Sequence, residues 1–291
     1  MAQKRSPIRR NNSVGWVSGA SWTHRRPILC VLLAVAFFSG CSRGLDYDSA
    51  RIFQDAEKTF AAAKTPDDFL KAAAMYQAIL DRGPVCGAVL YNQGNAFMQA
   101  GQRGRAIAAY RQAERYLGRD PFLEANLAYA LGNQPAVRRR PLVEYLLFWQ
   151  DWVSYPNKFF LAAAGVGLTF LLAVAALFVK RRLLARLALA GAAVSLLLIF
   201  SAAYDWYRYE ARVRGVIVQK QTVMRKGDAE SYEPALTAPL AEGTEFTLVE
   251  RRNDWLLIHL SGDQDGWVPD RAAVTYCTTA STAGFTQVTT P

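Results

Sequence analysis

The sequence predicts a multidomain membrane protein in which an α-helical repeat domain, a two-helix transmembrane hairpin and a small all-β barrel follow one another. Residues 159–179 and 187–204 are uncharged apolar runs, long enough as helices to cross a bilayer core of roughly 30 Å. An Ala-rich stretch with a 34-residue period precedes these runs. Short runs of alternating apolar and polar residues, separated by turn residues, follow them and predict β-strands.

Residues 1–40 have the pattern of a secretory signal peptide. Residues 1–26 carry six basic residues and no acidic one, and residues 27–40 form an apolar run. The run ends in Ser39-Gly40-Cys41, which resembles the lipobox of bacterial lipoproteins. Cys41 is therefore the candidate lipidation site and first mature residue. The alternatives are an ordinary signal peptide and an uncleaved anchor.

Residues 47–134 are predicted to form helices that are separated at Gly and Pro residues. A 34-residue period relates Ala72, Tyr76 and Ile79 to Ala106, Tyr110 and Ala113. The best-matching unit, residues 89–117, resembles the tetratricopeptide repeat. Six of its residues stand at the signature spacing: Leu90, Gly94, Phe97, Ala106, Tyr110 and Ala113. We expect Gly94 and Ala106 to lie where the two helices of the repeat cross, and Gly101 with Gly104 to make the turn between them.

The first helix of each repeat is expected to line a concave groove. Tyr91, Asn95 and Met98 share one helical face at i, i+4 and i+7, which makes them candidate contacts for a bound partner segment. Asn92 and Asn126 are also 34 residues apart. The alternative is that these asparagines bond to nearby backbone and that the repeats only pack.

The two apolar runs are predicted to form an antiparallel hairpin. The link between them, residues 180–186, has the sequence KRRLLAR and carries four basic residues. Basic links of this kind lie in the cytoplasm, so both flanks are expected on the outer side, where Trp and Tyr border the runs as in a headgroup layer. Residues 141–158 are predicted to lie in the interface. The alternative is a hairpin buried in a soluble core.

Residues 213–276 are predicted to form a small barrel of short strands. The pattern from Glu245 to Leu260 predicts a hairpin that bends at Asn253-Asp254. The order of segments resembles the bacterial SH3-like (SH3b) domain. Its marks here are VMRKGDAESY from Val223, EGTEF from Glu242, Asn253-Asp254-Trp255 and Gly266-Trp267-Val268. Residues 277–291 are rich in Thr, Ser and Gly and are predicted to be a disordered tail.

Aromatic side chains are the candidate ligand contacts of the SH3-like domain, because rings supply large contact area at low entropic cost. Trp267 follows Gly266 at a turn and Tyr232 lies in a long loop, so these two are the predicted contacts. Trp255 precedes an apolar strand and is predicted to lie in the core. The alternative is that Trp267 also belongs to the core.

The composition predicts a binding protein that is not an enzyme. The net charge is +10, but the basic residues of segments 1–26 and 180–186 account for it, so no patch predicts binding to nucleic acid. The chain has no GxxxxGK[ST], HExxH or GxSxG motif, no CxxC pair and only two histidines. We therefore expect no cofactor, no metal and no catalytic residue. Cys86 and Cys277 either form a disulfide or remain two free thiols.

Signal peptide, tetratricopeptide repeats, hairpin and SH3-like domain, in that order, are similar to the BatE-type proteins of bacterial aerotolerance operons. The likeness covers most of residues 50–276 and includes DPFLEANLAYAL, from Asp120 to Leu131. It implies a bacterial inner-membrane scaffold with both main domains in the periplasm. The implied partners are Bat-type von Willebrand factor A proteins of the membrane and a MoxR-type ATPase. The alternatives are a protein that binds peptidoglycan peptides and an accessory regulator of a cell-wall enzyme.

Overall fold

The computed structural model describes residues 45–83, 85–132, 153–179, 182–210 and 212–276. Within these ranges the protein consists of packed helices, two long apolar helices and a small antiparallel sheet. The predicted signal peptide, Cys41, Cys277 and the predicted tail lie outside the described residues, as does most of the predicted interfacial segment.

Five helices precede the apolar pair. Their bounds are α1 Tyr47–Ala62, α2 Pro66–Leu80, α3 Gly87–Gln99, α4 Arg103–Leu117 and α5 Pro121–Ala130. Thr65 and Asp68 form a capping box at the start of α2, and the Asp120 side chain accepts from two backbone N–H groups at the start of α5. The three later breaks between these helices each contain a glycine with positive φ, namely Gly83, Gly101 and Gly118.

The 34-residue period is visible in the packing of these helices. Both sets of three residues that it relates, on α2 and on α4, are at most 1% exposed. The Gly94 prediction agrees with the helix crossing, because a Cβ at Gly94 would lie 2.5 Å from Tyr110 Cε1. Phe97 and Tyr110 are buried, as expected of residues that fill the space between helices.

Gly104 does not belong to the turn in which it was expected. Gly101 alone has the left-handed backbone there, and Gly104 lies in the first turn of α4. A Cβ at Gly104 would be 2.4 Å from the Ile217 carbonyl oxygen of the sheet. The missing side chain therefore allows a helix and a strand to touch.

The two apolar helices are α6, Tyr155–Val179, and α7, Arg182–Tyr209. Among the described residues they are the helices long and apolar enough to cross a membrane, and most of their side chains are exposed. They run antiparallel, since Lys158 meets Asp205 near one end and Thr169 meets Ser195 at 3.2 Å near the middle. α7 begins five residues before the uncharged run because Leu183, Leu184 and Ala185 continue the helix.

Seven short strands follow the hairpin. Their bounds are β1 Arg214–Ile217, β2 Gln221–Thr222, β3 Leu240–Ala241, β4 Glu245–Arg252, β5 Trp255–Leu260, β6 Gln264–Pro269 and β7 Ala273–Tyr276, with a 3₁₀ turn at Asp270–Ala272 before the last. Five pair antiparallel in the order β6-β5-β4-β1-β7, and β2 pairs with β3. Alternate residues Leu256, Ile258 and Leu260 face the core.

The expected closed barrel is not found among the described strands, because β6 and β7 stand at opposite edges of an open sheet. A bridge residue, Arg225, occupies the free side of β6 through two backbone hydrogen bonds of 2.8 Å with Trp267. The edge strand is thereby covered without closure of the sheet.

The sheet packs directly on α4. Val216, Val274 and Tyr276 belong to the same buried cluster as Ala106 and Tyr110 of the helical part. Polar contacts join the same surfaces, with Gly104 N–H donating to Glu242 Oε1 at 2.8 Å. We call α1 to α5 together with the sheet the docked body, and α6 with α7 the hairpin.

Candidate functional site

The predicted groove residues Tyr91 and Asn95 belong to one hydrogen-bond network. The Asn126 side-chain amide on α5 donates to the Tyr91 hydroxyl and to Asn95 Oδ1, each at 2.9 Å. The Tyr110 hydroxyl on α4 donates to the same Asn95 oxygen at 2.8 Å. Burial raises the pKa of Tyr91 and of Tyr110, so both hydroxyls keep their protons at physiological pH.

In this network the side-chain amides of Asn95 and Asn126 hold helices of the protein together. Asn95 Oδ1 accepts two hydrogen bonds that tie α3 to α4 and α5, which favours packing over partner binding for that oxygen. Tyr91 and Met98 are half-buried on the same helix face, and Met98 packs against the core. As contacts for a partner, Tyr91, Asn95 and Met98 remain a prediction.

Two exposed aromatic residues that were not singled out from the sequence lie on α5, the helix whose Asn126 contacts Tyr91. Phe122 and Tyr129 on α5 are each 67% exposed. Their spacing of seven residues puts them on one side of the helix and was the available signal. We define the groove as the surface of Tyr91, Met98, Phe122 and Tyr129.

A polar cleft lies on the sheet domain beside Trp255. The register pairs Trp255 with Pro269, so the two side chains form one apolar wall. The other lining residues come from the segment after β1 and from the 3₁₀ turn: Gln219, Gln221, Thr222, Val223, Arg225, Glu230 and Arg271. Thr222 is 3% exposed, and its hydroxyl oxygen has no hydrogen-bond partner among the described residues.

Of the two guanidinium groups at the cleft, one forms an ion pair and the other a hydrogen bond to the backbone. Arg271 contacts Glu230 at 3.0 Å, and Arg225 donates to the Tyr232 carbonyl oxygen at 2.8 Å. An apolar wall, a buried hydroxyl and flanking guanidinium groups suit an extended segment with both apolar and polar groups.

The burial of two tryptophans is the reverse of that expected. Trp267, predicted as a ligand contact, is 8% exposed and lies under the Arg252 guanidinium, 5.0 Å from the ring centre. Trp255, predicted as core, is half-buried and lines the cleft. Trp255 faces outward because Leu256 faces the core and side chains alternate along β5. Trp267 pairs with Leu257 on the same outer face, and it is buried there beneath Arg252.

Tyr232, the other predicted ligand contact, is 49% exposed. Its ring packs over Gly227, where a Cβ would lie 2.5 Å from Tyr232 Cδ2. The residue stands next to the cleft and is joined to it through Arg225, but its side chain does not line it. Its role as a ligand contact remains a prediction.

Comparison of the chain with protein-family models, with curated proteins and with solved structures found no match.

Proposed function

We propose that this protein is a non-enzymatic scaffold of the bacterial inner membrane that binds other proteins through the groove and the cleft. The proposal includes two transmembrane spans and a periplasmic position for the docked body. It also includes membership of a Bat-type envelope complex with von Willebrand factor A-type partners.

One observation carries the proposal: the helices before the hairpin and the sheet after it share a core. Two segments that pack together must lie on the same side of a membrane, which two spans permit and one span does not. The positive-inside rule, applied to the basic link, supports a position of this side outside the cytoplasm. A binding body held at the membrane by a hairpin has the architecture of a scaffold.

Local features support the finer assignments. The 34-residue period, the Gly94 crossing and the pairing of α1 with α2 and α3 with α4 favour tetratricopeptide repeats. Five antiparallel strands, a long segment between β1 and β4 and a 3₁₀ turn before β7 favour an SH3-like domain. Both kinds of domain serve protein recognition.

Capture of partners from envelope extracts tests this function. Full-length protein in detergent is used as bait beside two variants, Tyr91→Ala with Met98→Ala in the groove and Trp255→Ala in the cleft. We expect each to lose a subset of membrane or periplasmic proteins. Val249→Ala is the matched control, since Val249 is 59% exposed on the same sheet and lies outside the cleft.

The result that would overturn the scaffold function is an identical set of captured proteins for the unmodified bait and for both variants. Any loss of partners must be accompanied by a native melting temperature of the variant, so that a lost partner is not confused with a lost fold.

A second candidate function is binding of peptidoglycan peptides. The polar lining of the cleft and the buried Thr222 hydroxyl favour it, because wall peptides are short and rich in polar groups. Cosedimentation with purified cell wall separates the two functions. Sedimentation that is lost in Trp255→Ala and kept in Val249→Ala supports wall binding, and none with the unmodified protein rejects it.

A further inference from the structure

A buried arginine near the C-terminal end of α4 contacts the first residue of α6 and the last residue of α7. The Arg115 side chain is 7% exposed and forms an ion pair with Glu210, which is 10% exposed and directly follows α7. Its guanidinium carbon lies 5.1 Å from the ring centre of Tyr155 on α6 and 5.5 Å from that of Tyr209 on α7. One guanidinium therefore touches the docked body and both helices of the hairpin.

The tyrosines around Arg115 also contact each other and the carboxylate. Tyr155 and Tyr209 pack edge to face at 5.5 Å, and the Tyr155 hydroxyl donates to Glu210 Oε1 at 3.4 Å. A planar guanidinium stacks on rings and pairs with a carboxylate at the same time, which an ammonium does less well. The geometry is specific for arginine.

The hairpin end that receives Arg115 is itself held together. Lys158 of α6 and Asp205 of α7 form an ion pair at 2.5 Å, with side chains 5% and 3% exposed. Both residues lie just outside the uncharged runs. Ion pairs this deeply buried resist separation, because each partner alone would be a desolvated charge. The two helices thus present one fixed surface to α4.

We propose that the Arg115–Glu210 pair is the joint that locks the docked body to the hairpin, so that the two move as one rigid unit. Sliding or tilting of the docked body would pull the guanidinium from the carboxylate and from both rings together. The groove and the cleft then keep a constant height and orientation above the bilayer. This inference does not depend on which partner binds there.

Distance measurements between spin labels in lipid nanodiscs test the joint. The full chain, with its four native cysteines replaced by serine, carries one label at Gln54 of α1 and one at Leu189 of α7, both exposed positions. We expect a single narrow distance distribution for this protein. Arg115→Gln and Glu210→Gln should each at least double its width while the helical content stays native.

Arg119→Gln is the matched control, because it breaks an exposed ion pair with Glu124 close to the same site. It should leave the distribution narrow. A broad distribution without the Gln substitutions, or an unchanged width in both joint variants, overturns the proposal. Loss of native helicity in both variants also overturns it, since releasing a joint leaves the joined parts folded. If only one variant unfolds, the width of the distance distribution in the other variant decides whether the joint exists.

Discussion

Single glycines decide where neighbouring elements touch in this protein. The missing side chain of Gly94 leaves room for the Tyr110 ring, and that of Gly104 leaves room for the carbonyl oxygen of Ile217 in the sheet. The first contact joins two helices that are adjacent in sequence and could be predicted from the repeat spacing. The second joins residues more than a hundred positions apart, and a glycine inside a helix does not reveal its partner.

Replacement of Gly94 by leucine should destabilise the helical part by about 3 kcal/mol or more, because the Tyr110 ring occupies the space of the new side chain. Thermal melting followed by circular dichroism measures the loss. Gly262→Ala is the control, since the nearest atom to its Cβ would be 4.0 Å away. An equal effect of both substitutions would contradict the close crossing.

Trp267→Ala should destabilise the sheet domain by about 3–5 kcal/mol, because its ring is buried beneath Arg252. Trp255→Ala should cost clearly less, since that ring is only partly buried and lines the cleft. Chemical denaturation of the two variants gives the order. If Trp255→Ala proves the more destabilising, this would contradict the deeper burial of the Trp267 ring.

The outward position of Trp255 was within reach of the sequence. Alternation along WLLIHL puts Leu256, Ile258 and Leu260 on one face and Trp255 on the other. The groove network was not within reach, because Asn126 and Asn95 are 31 residues apart and their contact depends on how two helices pack. A single sequence shows periodicity within an element far better than contact between elements.

At the scale of elements, α4 receives its N-terminal cap and an ion pair from residues that are far from it in sequence. Its N-cap residue Gln102 makes no side-chain cap, and the Glu242 carboxylate accepts from the Gly104 N–H instead. Arg111 forms two hydrogen bonds with Glu245, at 2.7 and 2.9 Å. Burial lowers the pKa of Arg111, but the carboxylates of Glu114 and Glu245 more than offset this and leave the pKa raised.

Glu242→Ala should weaken the start of α4 by about 1 kcal/mol, because a helix N-terminus loses the acceptor that caps it. Amide hydrogen exchange in residues 103–106 should accelerate about fivefold, which corresponds to that free energy. Glu250→Ala, on an exposed part of β4, should leave these amides unchanged. Equal protection in both variants would show that Glu242 is not the cap.

The capping box of α2 predicts a pH dependence. Hydrogen bonds from Thr65, from Lys71 and from the backbone N–H groups of Thr65 and Lys64 lower the pKa of Asp68 from 3.8 to about 2. A lowered pKa in the folded state means that the ionised cap stabilises above pH 4 and that this contribution disappears as the pH falls towards 2.

Melting temperatures of the unmodified protein and of Asp68→Asn should therefore differ at pH 7 and converge as the pH approaches 2. Asp67→Asn, in the same first turn, serves as the control for the loss of one carboxylate. A difference that stays constant across this range would exclude the cap as its source.

At the scale of the whole molecule, the hairpin and the docking of the sheet on α4 determine the arrangement. The two long apolar helices and the order of helices before strands followed from the sequence, because apolar length and periodicity are local signals. The docking did not, since its ion pair links Arg111 to Glu245, 134 residues away. The described strands do not form the expected closed barrel. Strand patterns in a sequence do not show which edges pair, so closure could not be judged from them.

Reporter fusions test the orientation. A phosphatase that is active only after export should work when fused after Gly132 and after Cys277, and it should be inactive when fused at Arg182. A reporter active only in the cytoplasm is the control and should give the reverse. An active phosphatase at Arg182 would show that the hairpin has the opposite orientation.

The shared core also has a consequence for how the protein is made. α4 leaves the ribosome roughly 160 residues before Tyr276, a delay on the order of 10–30 s at ordinary rates of synthesis. During that time the two apolar helices are synthesised while the face of α4 that will receive β1 and β7 stays uncovered. The last strand to emerge completes the core of the first domain. Premature termination just before Ala273 should therefore destabilise the helical part, made long before, as well as the sheet that loses β7.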